Sequence, residues 1–68
     1  MSVLKVIEVL GNSTVSFEDA VKNVIEEASQ SVKNIQSVYV KHMYVDVKDN
    51  AISEYRVNTK VTFKITHE

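Results

Sequence analysis

The chain alternates between two hydrophobic periods. "VLKVIEVL", Val3 to Leu10, is rich in β-branched residues and stops at Gly11, the single glycine, before the turn-like "NST". This predicts a first strand, and the adjacent apolar pair Val6 and Ile7 places apolar groups on both of its faces. From Phe17 the period changes. Phe17, Ala20, Val21, Val24, Ile25, Ala28, Val32 and Ile35 recur at three-and-four spacing, which predicts one helix of about 19 residues with a single buried face. Ser16 stands at the N-cap position, Asp19 where a capping box puts its acidic partner, and Glu18 and Asp19 favour the positive helix start. Lys33 suits the opposite pole. Lys22, Asn23, Glu26, Glu27, Gln30 and Lys33 form the solvent face.

The period of two returns in "IQSVYVKHMYVDV", residues 35 to 47, but without a clear wet side. Strict alternation puts Val38, Val40, His42 and Tyr44 on one face and Ser37, Tyr39, Lys41, Met43, Val45 and Val47 on the other. A turn over "KDNA", Lys48 to Ala51, leads into "ISEYRVNTKVTFKI", which alternates cleanly. Tyr55, Val57, Thr59, Val61, Phe63 and Ile65 face the helix, and Glu54, Arg56, Asn58, Lys60, Thr62 and Lys64 face away.

The element order is β-α-β-β, an α+β class domain over residues 1–68. A helical crossover makes the first two strands run the same way, so the third pairs antiparallel to both and sits between them. The lengths then disagree. A helix of about 19 residues spans roughly 28 Å, whereas a strand of about 14 residues reaches about 46 Å. The sheet must curl around its helix or overhang it, and an overhang with apolar groups needs a neighbour. A second copy of the same chain is the expected one.

Composition sharpens this. A domain of 68 residues buries only about 60% of the surface its unfolded chain exposes, and with no cysteine for a disulfide or thiolate zinc site, self-association is the stabilising route left open. The absence of cysteine fits a cytoplasmic location, as does the lack of a leader or a membrane-length apolar run. A net charge of -1 exerts no general pull on nucleic acid or anionic membranes. Arg56, Asn58, Lys60, Thr62 and Lys64 form a basic row, but it lacks the interleaved aromatics on which bases stack.

Catalytic signatures are missing: there is no nucleophile elbow, no phosphate-cradling glycine loop and no paired catalytic carboxylates, so a non-enzyme is expected. His42 and His67 read as solvated or interface residues. "DVKDN", Asp46 to Asn50, lacks the glycine and distal Glu of a calcium loop, and Asp49 and Asn50 are explained by turn chemistry. Asp46, Asp49 and Glu54 are nonetheless the candidate ligands for a calcium or magnesium ion shared between subunits.

"KVIEVLGNS" before a capped helix, a single β-α-β-β unit and the closing "EYRVNTKVTFKI" together resemble the dodecin family over roughly Val3 to Ile65. The resemblance implies a sheet that partly wraps its helix, a hollow homododecamer without catalysis, and a role in storing or buffering a small molecule. Typical members hold flavins (FMN, riboflavin or FAD) in pairs at two-fold interfaces, with a Trp at the start of the second strand stacking on the ring and a Gln after the third-strand Tyr bonding its polar edge. Aligned on Tyr55, this chain carries Ser37 at the Trp position and Arg56 at the Gln position. A large aromatic buries about 150 to 250 Å², of order 4 to 6 kcal/mol of contact at most, and serine supplies almost none of it. Arginine offers only donors, so it cannot replace the amide's donor and acceptor. The flavin sandwich is therefore expected to be absent or much weakened. Ser37, Tyr39 and Arg56 become the candidate ligand-binding residues, Arg56 for an anion and Tyr39 for a smaller stacking surface.

Overall fold

The computed structural model describes residues 2–66 and shows β1 (Ser2–Ser13), α1 (Phe17–Ala28), β2 (Ile35–Lys48) and β3 (Ala51–Thr66). The sheet order is β1-β3-β2 with both pairings antiparallel, as the crossover argument requires. His67 lies outside the described residues.

The helix ends earlier than its hydrophobic period. It has 12 residues rather than 19, because "SQS", Ser29 to Ser31, replaces helix formers with residues whose side chains compete for the backbone. The Ser29 hydroxyl donates to the Glu26 carbonyl, and the Gln30 and Ser31 amides reach back only three residues, to Glu27 and Ala28. Asn34 then turns the chain with a φ of 62°. Val32 and Ile35 still pack on the core, the first from this tightened turn and the second as the opening residue of β2. Lys33, expected near the helix end, falls in the connection.

Ser16 caps α1 by accepting the Asp19 amide at 2.9 Å. Asp19 does not close the box. Its carboxylate instead accepts the hydroxyl of buried Ser13 at 2.6 Å, which ties the end of β1 to the first turn of the helix. Ala20, Val24 and Ala28, one residue every four, meet Val57 and Val61 of β3 in the core. Thr59 lies between these valines, fully buried, and donates its hydroxyl to the Val9 carbonyl at 2.7 Å. Ile25, expected on the buried face, is 41% exposed.

The unclear sidedness of β2 has a structural cause. Its register against β3 shifts between Ile35 and Ser37 and again between Val40 and His42, leaving Gln36 and Lys41 as extra residues. Each extra residue reverses the alternation after it. The helix side is therefore Val38, Val40, Met43, Val45 and Val47, and the outer side is Ser37, Tyr39, His42, Tyr44 and Asp46. This corrects the strict alternation, which had grouped His42 and Tyr44 with Val38.

The turn is tighter than "KDNA". Lys48 and Ala51 pair, leaving a two-residue loop in which Asp49 (φ 53°) and Asn50 (φ 60°) both adopt the left-handed region that a type I′ hairpin requires. The molecule measures 53 × 19 × 14 Å, while a 12-residue helix spans about 18 Å. The overhang is larger than the sequence implied.

Gly11, expected to end β1, lies inside it against α1. A Cβ there would overlap Val24 Cγ2 and stand 3.0 Å from the Ala20 carbonyl oxygen. Gly11→Ala is expected to destabilise the fold by about 1 to 3 kcal/mol through overpacking. Val24→Ala in the same chain should return part of that loss, measured as a double-mutant cycle in urea.

Candidate functional site

The face of the sheet turned away from α1 is built from cross-strand rows. Val6, Thr62 and Ser37 form one, Glu8, Lys60 and Tyr39 the next, then Leu10, Asn58 and His42, and finally Asn12, Arg56 and Tyr44. Beyond them Asp46 pairs with Glu54. Leu4, Val6 and Leu10 on β1 and Tyr39 and Tyr44 on β2 are all at least half exposed, so an apolar margin borders a polar centre on each side.

Ser37, Tyr39 and Arg56 thus share one face, as expected, but not one pocket. Ser37 lies opposite Thr62 and Arg56 is six residues further along β3, a separation of about 20 Å at about 3.3 Å per residue. Neither end of the Ser37–Arg56 pair can grip a ring that the other also touches within one chain. Ser37 is exposed, and its hydroxyl adds no flat surface.

Arg56 is not free. Its Nη1 donates to Asp46 Oδ2 at 3.0 Å and stands 3.8 Å from Glu54 Oε2, while Glu54 Oε1 accepts the Asn12 amide at 2.9 Å. The hydrogen bond it donates to Asp46 and the charges of the neighbouring Tyr44, Asp46 and Glu54 hold the guanidinium above its ordinary pKa, so it is a permanent cation. The two carboxylates proposed as metal ligands therefore already share a cation. Asp49 sits in the turn, apart from them, and among the described residues no cluster of three or more His, Cys, Asp or Glu is close enough to hold a metal ion.

Tyr44 is the residue the sequence reading missed. Strict alternation put it on the other face, whereas the bulge at Lys41 sets it directly opposite Arg56, half exposed. A hydrophobic pattern carries no sign of one extra residue, because both sides of the bulge alternate correctly. Lys41 itself reaches across β3 to Glu8 Oε2 at 3.2 Å. Asn58 Oδ1, beside His42, is buried and lacks a partner.

The dodecin family model matches residues 3–66. This chain belongs to the dodecin family. Calcium dodecin from Mycobacterium tuberculosis is 34% identical over 65 residues, covering 96% of this chain and 92% of that one. Among solved structures, the dodecin from Streptomyces davaonensis superposes with a TM-score of 0.92 at 26% identity, covering 97% of both chains. The crystal structure of the calcium-chelating M. tuberculosis protein, described as having a novel calcium-binding site, gives 0.81 at 31% identity, covering 94% and 91%. The dodecin fold of β-α-β-β with three antiparallel strands is the one seen here. In this dodecin, Arg56, on the face that also carries Ser37, is engaged by the chain's own carboxylates Asp46 and Glu54.

The Asp46–Arg56 pair is about two-fifths exposed on both sides, so its coupling is electrostatic and open to salt. A double-mutant cycle with Asp46→Asn and Arg56→Gln is expected to give a favourable coupling at low ionic strength that largely disappears near about 1 M salt.

Proposed function

We propose that this dodecin is a non-enzymatic, cytoplasmic homododecamer that binds or stores a small molecule, with a flavin site altered to the point of weak or absent flavin binding. The observation that carries this reading is the pairing of an exposed Ser37 with an Arg56 engaged by Asp46 and Glu54. The first offers no shelf for an aromatic ring. The second offers neither an acceptor nor an unpaired charge. The residues present therefore do not fit the usual flavin, and no binding step is assigned to it. Self-association is supported by the uncovered apolar groups on both sides of the sheet, Leu4, Val6 and Leu10 on one and Val47 and Ile52 on the other.

A second reading is a structural shell bridged by calcium. The M. tuberculosis relative is named for calcium, and Asp46 and Glu54 form an adjacent carboxylate pair on one face here. Within one chain that pair is neutralised by Arg56, so a bridging ion would have to recruit carboxylates from another copy and displace the guanidinium.

Native mass spectrometry of protein purified without added cofactor separates these readings. A dodecamer of apoprotein mass, colourless in solution, is expected; a retained flavin would overturn the altered-site reading, a retained calcium would favour the second, and a monomer would remove both. The flavin site can also be rebuilt. Ser37→Trp with Arg56→Gln is expected to raise flavin affinity at least about tenfold, near 1.4 kcal/mol, read from fluorescence quenching. No gain would show that the site differs in shape as well as in these two side chains.

A further inference from the structure

Three groups with no assigned role come together on the outer face of the sheet. Asn58 Oδ1 is buried and has no hydrogen-bond partner, a state in which few native polar atoms are left. His42, which stands across from Asn58 on β2, does not donate to it. Lys60 is the next residue of β3 on the same face, about 7 Å further along. Its cross-strand neighbour on β1 is Glu8, but Glu8 Oε2 is held by Lys41 at 3.2 Å, and among the described residues Lys60 forms no ion pair. Tyr39, opposite Lys60 on β2, is 66% exposed on this same face.

The needs of the first two groups are opposite. A buried amide oxygen requires a donor, whereas an ammonium supplies donors and requires an acceptor. A molecule that meets both carries an N–H beside a carbonyl, which is the lactam edge of a heterocycle. A carboxylate would satisfy Lys60 and leave Asn58 unmet. The ring that bears a lactam is flat, and an exposed tyrosine offers a face on which such a ring stacks.

We infer that Tyr39, Asn58 and Lys60 form a binding site for an uncharged, nucleobase-sized heterocycle with a lactam edge. Asn58 Oδ1 accepts the ring N–H, Lys60 Nζ donates to the adjoining carbonyl oxygen, and Tyr39 stacks on the ring. This rests on the small-molecule reading above and names the class of molecule. The size follows from the spacing. Asn58 lies diagonally across from Tyr39, about 7 to 8 Å away, which a heterocycle of one or two rings spans from stack to edge. Among the described residues no element lies over this face, and the row neighbours of Asn58, Leu10 and His42, are both exposed. An entering ring therefore displaces side chains rather than a layer of the fold. Neither Ser37 nor Arg56 takes part, so the site is independent of the two positions on which the flavin reading turns.

Hypoxanthine and purine make the comparison, because they share a bicyclic ring and only hypoxanthine has the lactam. In calorimetric titrations of the wild-type protein, hypoxanthine is expected to bind at least about tenfold tighter than purine. Lys60→Met, a change at an exposed residue, and Asn58→Leu should each shrink that preference, while Tyr39→Leu should weaken both ligands together. Lys60→Met carries the test on its own if Asn58→Leu fails to fold. Equal affinity for the two ligands overturns the site, as does a preference that Lys60→Met leaves unchanged. Wild-type protein that binds neither ligand overturns it too, and a riboflavin titration then separates the two readings. If riboflavin also fails to bind, only this site is lost and the altered-flavin reading stands; if riboflavin binds tightly, that reading falls as well.

Discussion

The structure depends on a mismatch of reach. Among the described residues, one amphipathic helix of 12 residues, about 18 Å long, is the only cover for a sheet in a molecule 53 Å in its long dimension. The core is accordingly small: Ala20, Val24 and Ala28 of α1 against Val57 and Val61 of β3, with Thr59 held between these valines by its hydrogen bond to Val9. Ile7, Val9, Phe17, Val38 and Val40 are partly buried against it, while Leu4, Val6, Leu10, Val47 and Ile52 are more than half exposed. A chain of this size gains little from burial within itself, so its remaining apolar surface is a requirement for company rather than an excess.

That requirement organises the polar chemistry too. On the outer face, opposite charges are matched within the chain: Lys41 with Glu8, and Arg56 with Asp46 and Glu54. Exposed pairs of this kind contribute little to folding. Their effect is local: the Arg56 guanidinium is shared by Asp46 and Glu54, and apolar margins and aromatic edges lie beside it. Asp46, Glu54 and Arg56 were named in the sequence for separate roles, as metal ligands and as an anion contact. In three dimensions they satisfy one another.

The fold was largely legible from the residues. The order of elements, the central position of β3 and the apolar row from Tyr55 to Ile65 follow from periodicity and from the handedness of the crossover. The helix was overextended because Val32 and Ile35 continue its apolar spacing by packing on the same core from a turn and a strand. Burial sets the pattern there, whereas backbone competition by Ser29 sets the end. The shared face of Ser37, Tyr39 and Arg56 was legible. Its layout was not. Distance along a strand hides the separation of Ser37 from Arg56, and partner choice hides the engagement of Arg56 by Asp46 and Glu54.

The extra residue at Lys41 has a consequence for how such chains diverge. A bulge works as a parity bit: it decides whether everything after it on β2 belongs to the lining against the helix or to the outer display. Point substitution cannot toggle it. Loss of Lys41 itself would remove the bulge and keep both inventories, since His42 would still oppose Asn58 and Met43 would still oppose Val57, whereas pairing every residue of β2 without a bulge would carry His42, Tyr44 and Asp46 inward and send Met43, Val45 and Val47 outward. A relative with one residue fewer here can therefore read differently as a linear pattern and still present the same two surfaces.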